Sequence, residues 1–157
     1  MKGFTQNPSG KGREMKQPSC KERIGSAYEI AMKMERDLWE MYLMGNDEIH
    51  PEHECTFPDH FLWFDYVPAG TFADQNLGYF IYQLSTGGPG DEFRFFASKG
   101  QGGRWFVYKV EYWYLDWFDG AKIELCGPEK SLLVEIFDEY FDHVRDQVYD
   151  SAMEEGS

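Results

Sequence analysis

Residues 61–126 contain five short runs dominated by aromatic and β-branched residues, FLWFDYV, LGYFIYQLST, DEFRFFAS, RWFVYKVEYWYL and AKIELC, and this pattern limits the fold more than any other feature of the chain. Such runs suit pleated strands, and the turn residues between them suit hairpins. Gly87-Gly88-Pro89-Gly90, Gly100-Gln101-Gly102-Gly103 and Asp119-Gly120 supply the punctuation. Asp-Gly tolerates the positive φ of a tight two-residue loop, so a hairpin turn is expected there. The expectation is an antiparallel meander of four or five strands.

Alternation assigns faces within the longest run. Phe106, Tyr108, Val110, Tyr112 and Tyr114 share one side and are expected to enter the core. Trp105, Val107, Lys109, Glu111, Trp113 and Leu115 share the other. That second face mixes tryptophan with charge, the composition of a partly covered sheet or of a partner-binding patch.

Helical periodicity flanks the strands. Ser26 and Glu29 form an S-x-x-E capping box, after which Ala27, Ile30, Met34, Leu38 and Met41 recur on one side and Lys33, Arg36, Asp37 and Glu40 on the other. Gly45 ends the pattern. After Gly127, Pro128 occupies a position where a helix tolerates a missing amide, and Leu132, Leu133, Ile136, Phe137, Tyr140, Phe141, Val144 and Val148 form a broad apolar stripe. The class is α+β, with an N-terminal and a C-terminal helix packed on the sheet.

At 157 residues, the chain suits one domain, expected over residues 24–157. Residues 1–23 are rich in Gly, Pro, Ser and Lys without apolar periodicity and are expected to be a flexible basic arm. The aromatic content of 18% argues against disorder. Three widely spaced cysteines and no signal-peptide pattern point to a reducing, cytoplasmic setting, and no apolar run has the length of a membrane span.

Charge narrows the function. The chain has 28 acidic against 15 basic residues, a net charge of −13. The basic arm holds +4 of this, so the remainder carries −17. Such a body repels nucleic acid and anionic membranes and is drawn to cationic surfaces. In DEYFDHVRDQVYD, residues 138–150, the carboxylates Asp138, Asp142, Asp146 and Asp150 stand four apart, and Glu135 and Glu139 extend the acidic face. On one continuous helix they would form a ladder of negative charge with a spacing of about 6 Å. The same row also suits the solvated face of an amphipathic helix.

A second cluster, IHPEHECTFPDH, collects His50, His53, Cys55 and His60 in a loop broken by prolines. These donors suit zinc, although their spacing matches no common zinc site and no H-E-x-x-H helix is present. The glycine-rich QLSTGGPGDEFRFF leads into another strand and lacks the lysine of a phosphate loop, so it reads as a hairpin. No nucleophile elbow appears, and an enzyme is not expected.

These features point to an acidic inhibitor or decoy that occupies a cationic nucleic-acid-binding groove of a nuclease or defence complex. Phages and mobile elements use such mimics as anti-CRISPR or anti-restriction proteins. The expected partner surface comprises Glu135, Asp138, Glu139, Asp142, Asp146 and Asp150, with Trp113 and Trp117 as anchors, and no cofactor. The alternatives are an immunity protein that neutralises a basic nuclease toxin, and a small metal-binding enzyme or regulator using the His/Cys cluster with zinc.

Overall fold

The computed structural model describes residues 18–155. Most of the expected arm, residues 1–17, lies outside them. Strands β1 (Trp63–Val67), β2 (Tyr79–Ser85), β3 (Gly90–Lys99), β4 (Trp105–Asp116) and β5 (Asp119–Glu124) form one antiparallel sheet in sequential order. Helix α1 (Cys20–Leu43) precedes the sheet, and α2 (Gly127–Glu139) and α3 (Arg145–Glu155) follow it. The α+β architecture is as expected.

Helix α1 begins earlier than its periodicity suggested. An earlier S-x-x-E sequence than Ser26 to Glu29 is used: Ser19 accepts from the Glu22 amide while the Glu22 carboxylate accepts from the Ser19 amide. Cys20 to Arg23, expected in the arm, are therefore helical. Tertiary contacts explain the choice, because the Cys20 amide donates to Asp119 at 2.7 Å and Arg23 pairs with Asp116 at 2.5 Å. An N-terminus at Ser26 would forgo both.

The buried stripe of α1 is also rotated from the expected one. Ile24, Ala31, Met32, Glu35, Leu38 and Trp39 face inward, and Ile30 is exposed. The rotation places a carboxylate in the core, where it has partners described below.

Within β4, alternation fails at a bulge. Phe96 pairs with Lys109 but Ala97 pairs with Val107, so Tyr108 is an extra residue. Trp105 and Val107 consequently share the core face with Val110 and Tyr112, while Phe106 and Tyr108 turn outward. The expected core placement of Phe106 and Tyr108 is thus reversed. Strict two-residue periodicity cannot register an inserted residue.

The last hairpin is displaced too. Its two-residue loop is Trp117-Phe118, closed by the Asp116–Asp119 pair, and Asp119-Gly120 lies inside β5. All three helices contribute to the core on one face of the sheet: Phe137 of α2 meets Phe64, Phe80 and Phe95, Tyr149 of α3 meets Trp105, and Tyr28 of α1 meets Tyr112. At about 25 cal/mol per Å² of apolar area, such rings dominate the hydrophobic stabilisation.

Candidate functional site

The acidic row does not lie on one rod. Helix α2 ends at Glu139, a turn spans residues 140–144, and α3 starts at Arg145. The apolar stripe accounts for the break. Phe141 enters the core in the turn, stacked 3.9 Å from Phe64, and α3 then redirects Tyr149 onto Tyr66 and Trp105. A straight helix would carry part of this wide stripe away from the sheet.

Several members of the row have partners within the chain. Arg145 spans Asp138 at 3.3 Å and Asp142 at 2.6 Å. Asp146 accepts from the Trp105 indole at 2.9 Å and pairs with Lys99 at 3.1 Å, and the indole hydrogen bond is the main reason its pKa is lowered. Glu135 accepts from the Trp39 indole at 2.7 Å. Burial raises the pKa of Asp138 despite Arg145. Glu139 and Asp150 are exposed. The uniform ladder expected of a single helix is replaced by acids divided among α2, the turn and α3.

The two proposed anchors differ. Trp113 lies on the outer sheet face beneath the Arg94 guanidinium, 3.9 Å from the ring centroid, and donates to Glu111 at 2.9 Å. Arg94 also covers Tyr79, Lys109 covers Phe96, and Glu92 and Glu111 are buried among them at 4% and 3% exposure. Cations and rings thus cover this face without a helix. Trp117, by contrast, stands in the open.

The Trp117-Phe118 tip is the most prominent apolar feature of the surface. Trp117 is 88% and Phe118 fully exposed, and Trp117 adopts a left-handed φ of 56°. That conformation costs an L-residue about 1–2 kcal/mol, and asparagine or glycine would relieve it. The tip is nonetheless braced. Arg23 holds Asp116, the amides of Cys20 and Gly120 hold Asp119, and a Cβ on Gly88 would come within 3.1 Å of the Trp117 indole nitrogen. Two large rings thus stand exposed on a strained turn whose flanking aspartates are held by the rest of the fold.

The expected metal ligands separate. The His60 side chain enters the core, where Nε2 meets Glu35 Oε2 at 2.6 Å and Nδ1 donates to the Phe57 carbonyl at 2.5 Å. Tyr82 donates to Glu35 Oε1 at 2.6 Å. This buried network joins α1, the turn at Phe57–Asp59 and β2. Cys55 is not grouped with the histidines; burial raises its pKa.

His50 and His53 instead cluster with Asp37, their donor atoms within 4.8 Å of one another. Asp37 Oδ2 already meets His53 Nε2 at 2.9 Å and the Lys33 ammonium at 2.7 Å, and His50 Nδ1 accepts the amides of Glu52 and His53. The lysine supplies positive charge where a metal would. These three residues could bind zinc only after rearranging those bonds.

Sequence periodicity missed Glu35, Tyr82 and Phe118. The S-x-x-E from Ser19 to Glu22 was a visible signal for the true start of α1. No helix among the described residues is long and apolar enough to cross a membrane. No family model matches the chain, and neither a curated protein nor a solved structure matches it.

Proposed function

We propose that this chain is an acidic binding protein that docks on a cationic protein and anchors there through Trp117 and Phe118. The exposed, braced tip carries the reading. Residues 18–155 hold 27 of the 28 acidic and 11 of the 15 basic residues, a charge of −16, which favours encounter with a positive surface and rejects nucleic acid itself. A basic nucleic-acid-processing protein, whose groove is lined with Lys and Arg, meets that description. The mode is that of an inhibitor or decoy, of anti-CRISPR, anti-restriction or toxin-neutralising type.

The broken row changes how such mimicry would work. Regular phosphate-like spacing does not support it. The net field of the body and a shape-specific aromatic contact do.

Affinity capture from cell extract tests the reading. The wild type should recover basic nucleic-acid-binding proteins at about 50 mM salt and lose most of them at about 300 mM, where charge screening is strong. Trp117→Ser/Phe118→Ser should recover far less. Equal recovery by both proteins at both salt levels would refute it.

A zinc-binding role is a second reading, supported by Asp37, His50 and His53. Elemental analysis of purified protein, with His53→Ala as the control, tests it.

A further inference from the structure

We infer that the groove at the C-terminal end of α1 is a docking site for a basic amphipathic segment of a partner protein. The inference rests on the proposed function for the sign of the partner's charge and uses a different surface. Leu38 and Met41 of α1, Tyr42 and Phe57 form the apolar floor of a groove of about 360 Å³. Asp47, Glu48 and Asp59 stand at its rim, and among the described residues no lysine or arginine lines it.

The floor is rigid. Tyr42 stacks on Trp39 with centroids 5.3 Å apart and meets Tyr140 edge-on at 5.2 Å, and Phe57 meets the same Tyr140 at 4.8 Å. Beside it, Met44 is 72% and Ile49 66% exposed. This apolar area lies next to carboxylates, so an uncharged apolar partner would leave the rim unanswered.

Helix polarity adds to the attraction. The C-terminus of a helix carries a partial charge near −0.5, ordinarily offset by Lys, Arg or His in the last turn. Helix α1 has no basic residue there. Carboxylates and helix end together favour a cation, while the floor favours the aliphatic stem beneath it. Arginine and lysine combine both parts, and flanking apolar residues would cover Met44 and Ile49. The site lies roughly 23–33 Å along α1 from Cys20 and Arg23, which brace the aromatic tip, at 1.5 Å per residue, so the two surfaces can be separated by mutation.

The test uses the full chain and synthetic peptides. One peptide alternates lysine and leucine at helical spacing, and a second has the same charge with serine in place of leucine. Binding is followed by titration of intrinsic tryptophan fluorescence, with calorimetry as a check. The lysine–leucine peptide should bind at least about tenfold more tightly than the lysine–serine peptide. Asp47→Asn/Glu48→Gln/Asp59→Asn, confined to exposed positions, should lose at least about tenfold in affinity for it. Trp117→Ser/Phe118→Ser should bind it as the wild type does, so failure of the tip and failure of the groove give different results. Equal binding of both peptides, or an unchanged rim variant, would overturn the inference.

Discussion

Glu35 Oε2 and His60 Nε2 lie 2.6 Å apart with both side chains 1% exposed. Around them, Tyr82 donates to the other carboxylate oxygen and the Phe57 carbonyl accepts from the imidazole. Each polar atom of the pair has a partner, so the chain tolerates their burial. Three segments distant in sequence are joined at this point.

Removing one partner should be costly. His60→Ala leaves the Glu35 carboxylate without its imidazole, and a broken buried pair costs roughly 3–5 kcal/mol. Chemical denaturation should show a loss of that order. A loss below about 1 kcal/mol would mean that water replaces the imidazole without difficulty.

The same pair sets a pH dependence. Burial by itself lowers the His60 pKa, but the Glu35 hydrogen bond and charge, with the Phe57 carbonyl, raise it above the ordinary 6.5. The folded chain therefore binds this proton more tightly than the unfolded chain. Its contribution is complete below 6.5 and is lost as pH rises through the higher folded value. Denaturation midpoints should fall across that window in the wild type and less in His60→Gln. Parallel profiles would remove His60 as the source.

The outer sheet face gives a contrasting pair. Burial raises the pKa of Glu92, and Arg94, 2.6 Å away, opposes that shift. Arg94→Ala should destabilise by roughly 2–4 kcal/mol, through lost stacking on Tyr79 and Trp113 and an uncompensated carboxylate. Glu92→Gln should cost less. Thermal unfolding of the two variants decides, and the reverse order would contradict the assignment of Arg94 as the covering residue.

Class, strand order and the strand count to within one were legible because aromatic runs with turn residues between them admit few other arrangements. Three details were not. The Tyr108 bulge reverses the faces of β4 at its start, and alternation has no means of marking an inserted residue. The α1 phase depends on Glu35, which a hydrophobic pattern places outside because its partners, His60 and Tyr82, are remote in sequence. The continuous acidic helix failed because the apolar stripe through Phe141 and Val148 was read as one face, whereas the sheet is met by two separate helices. Of the two expected anchors, Trp117 is exposed and Trp113 is covered by Arg94.

The tip should trade stability for binding. Trp117→Asn/Phe118→Ser places a residue that accepts a left-handed φ at the one position of the turn that needs it, so the fold should gain about 1 kcal/mol. Capture of a cationic partner should fall at the same time. A variant that is less stable than wild type would show that the rings support the fold.

The acids of α2, α3 and the turn between them should affect rate more than residence. Replacing Asp138, Asp142, Asp146 and Asp150 by asparagine removes four charges but also releases Arg145 and Lys99. Association with a cationic partner should slow severalfold at low salt, with little change in dissociation. Unchanged association would place this surface away from the contact.

The most direct test of the whole account is the association and dissociation of a captured partner over a salt series, for the wild type and Trp117→Ser/Phe118→Ser. Electrostatic steering predicts that the association rate of both proteins falls about tenfold or more between about 50 and about 300 mM salt. Anchoring predicts that the variant alone dissociates faster. Association that ignores salt, together with identical dissociation of the two proteins, would contradict the account.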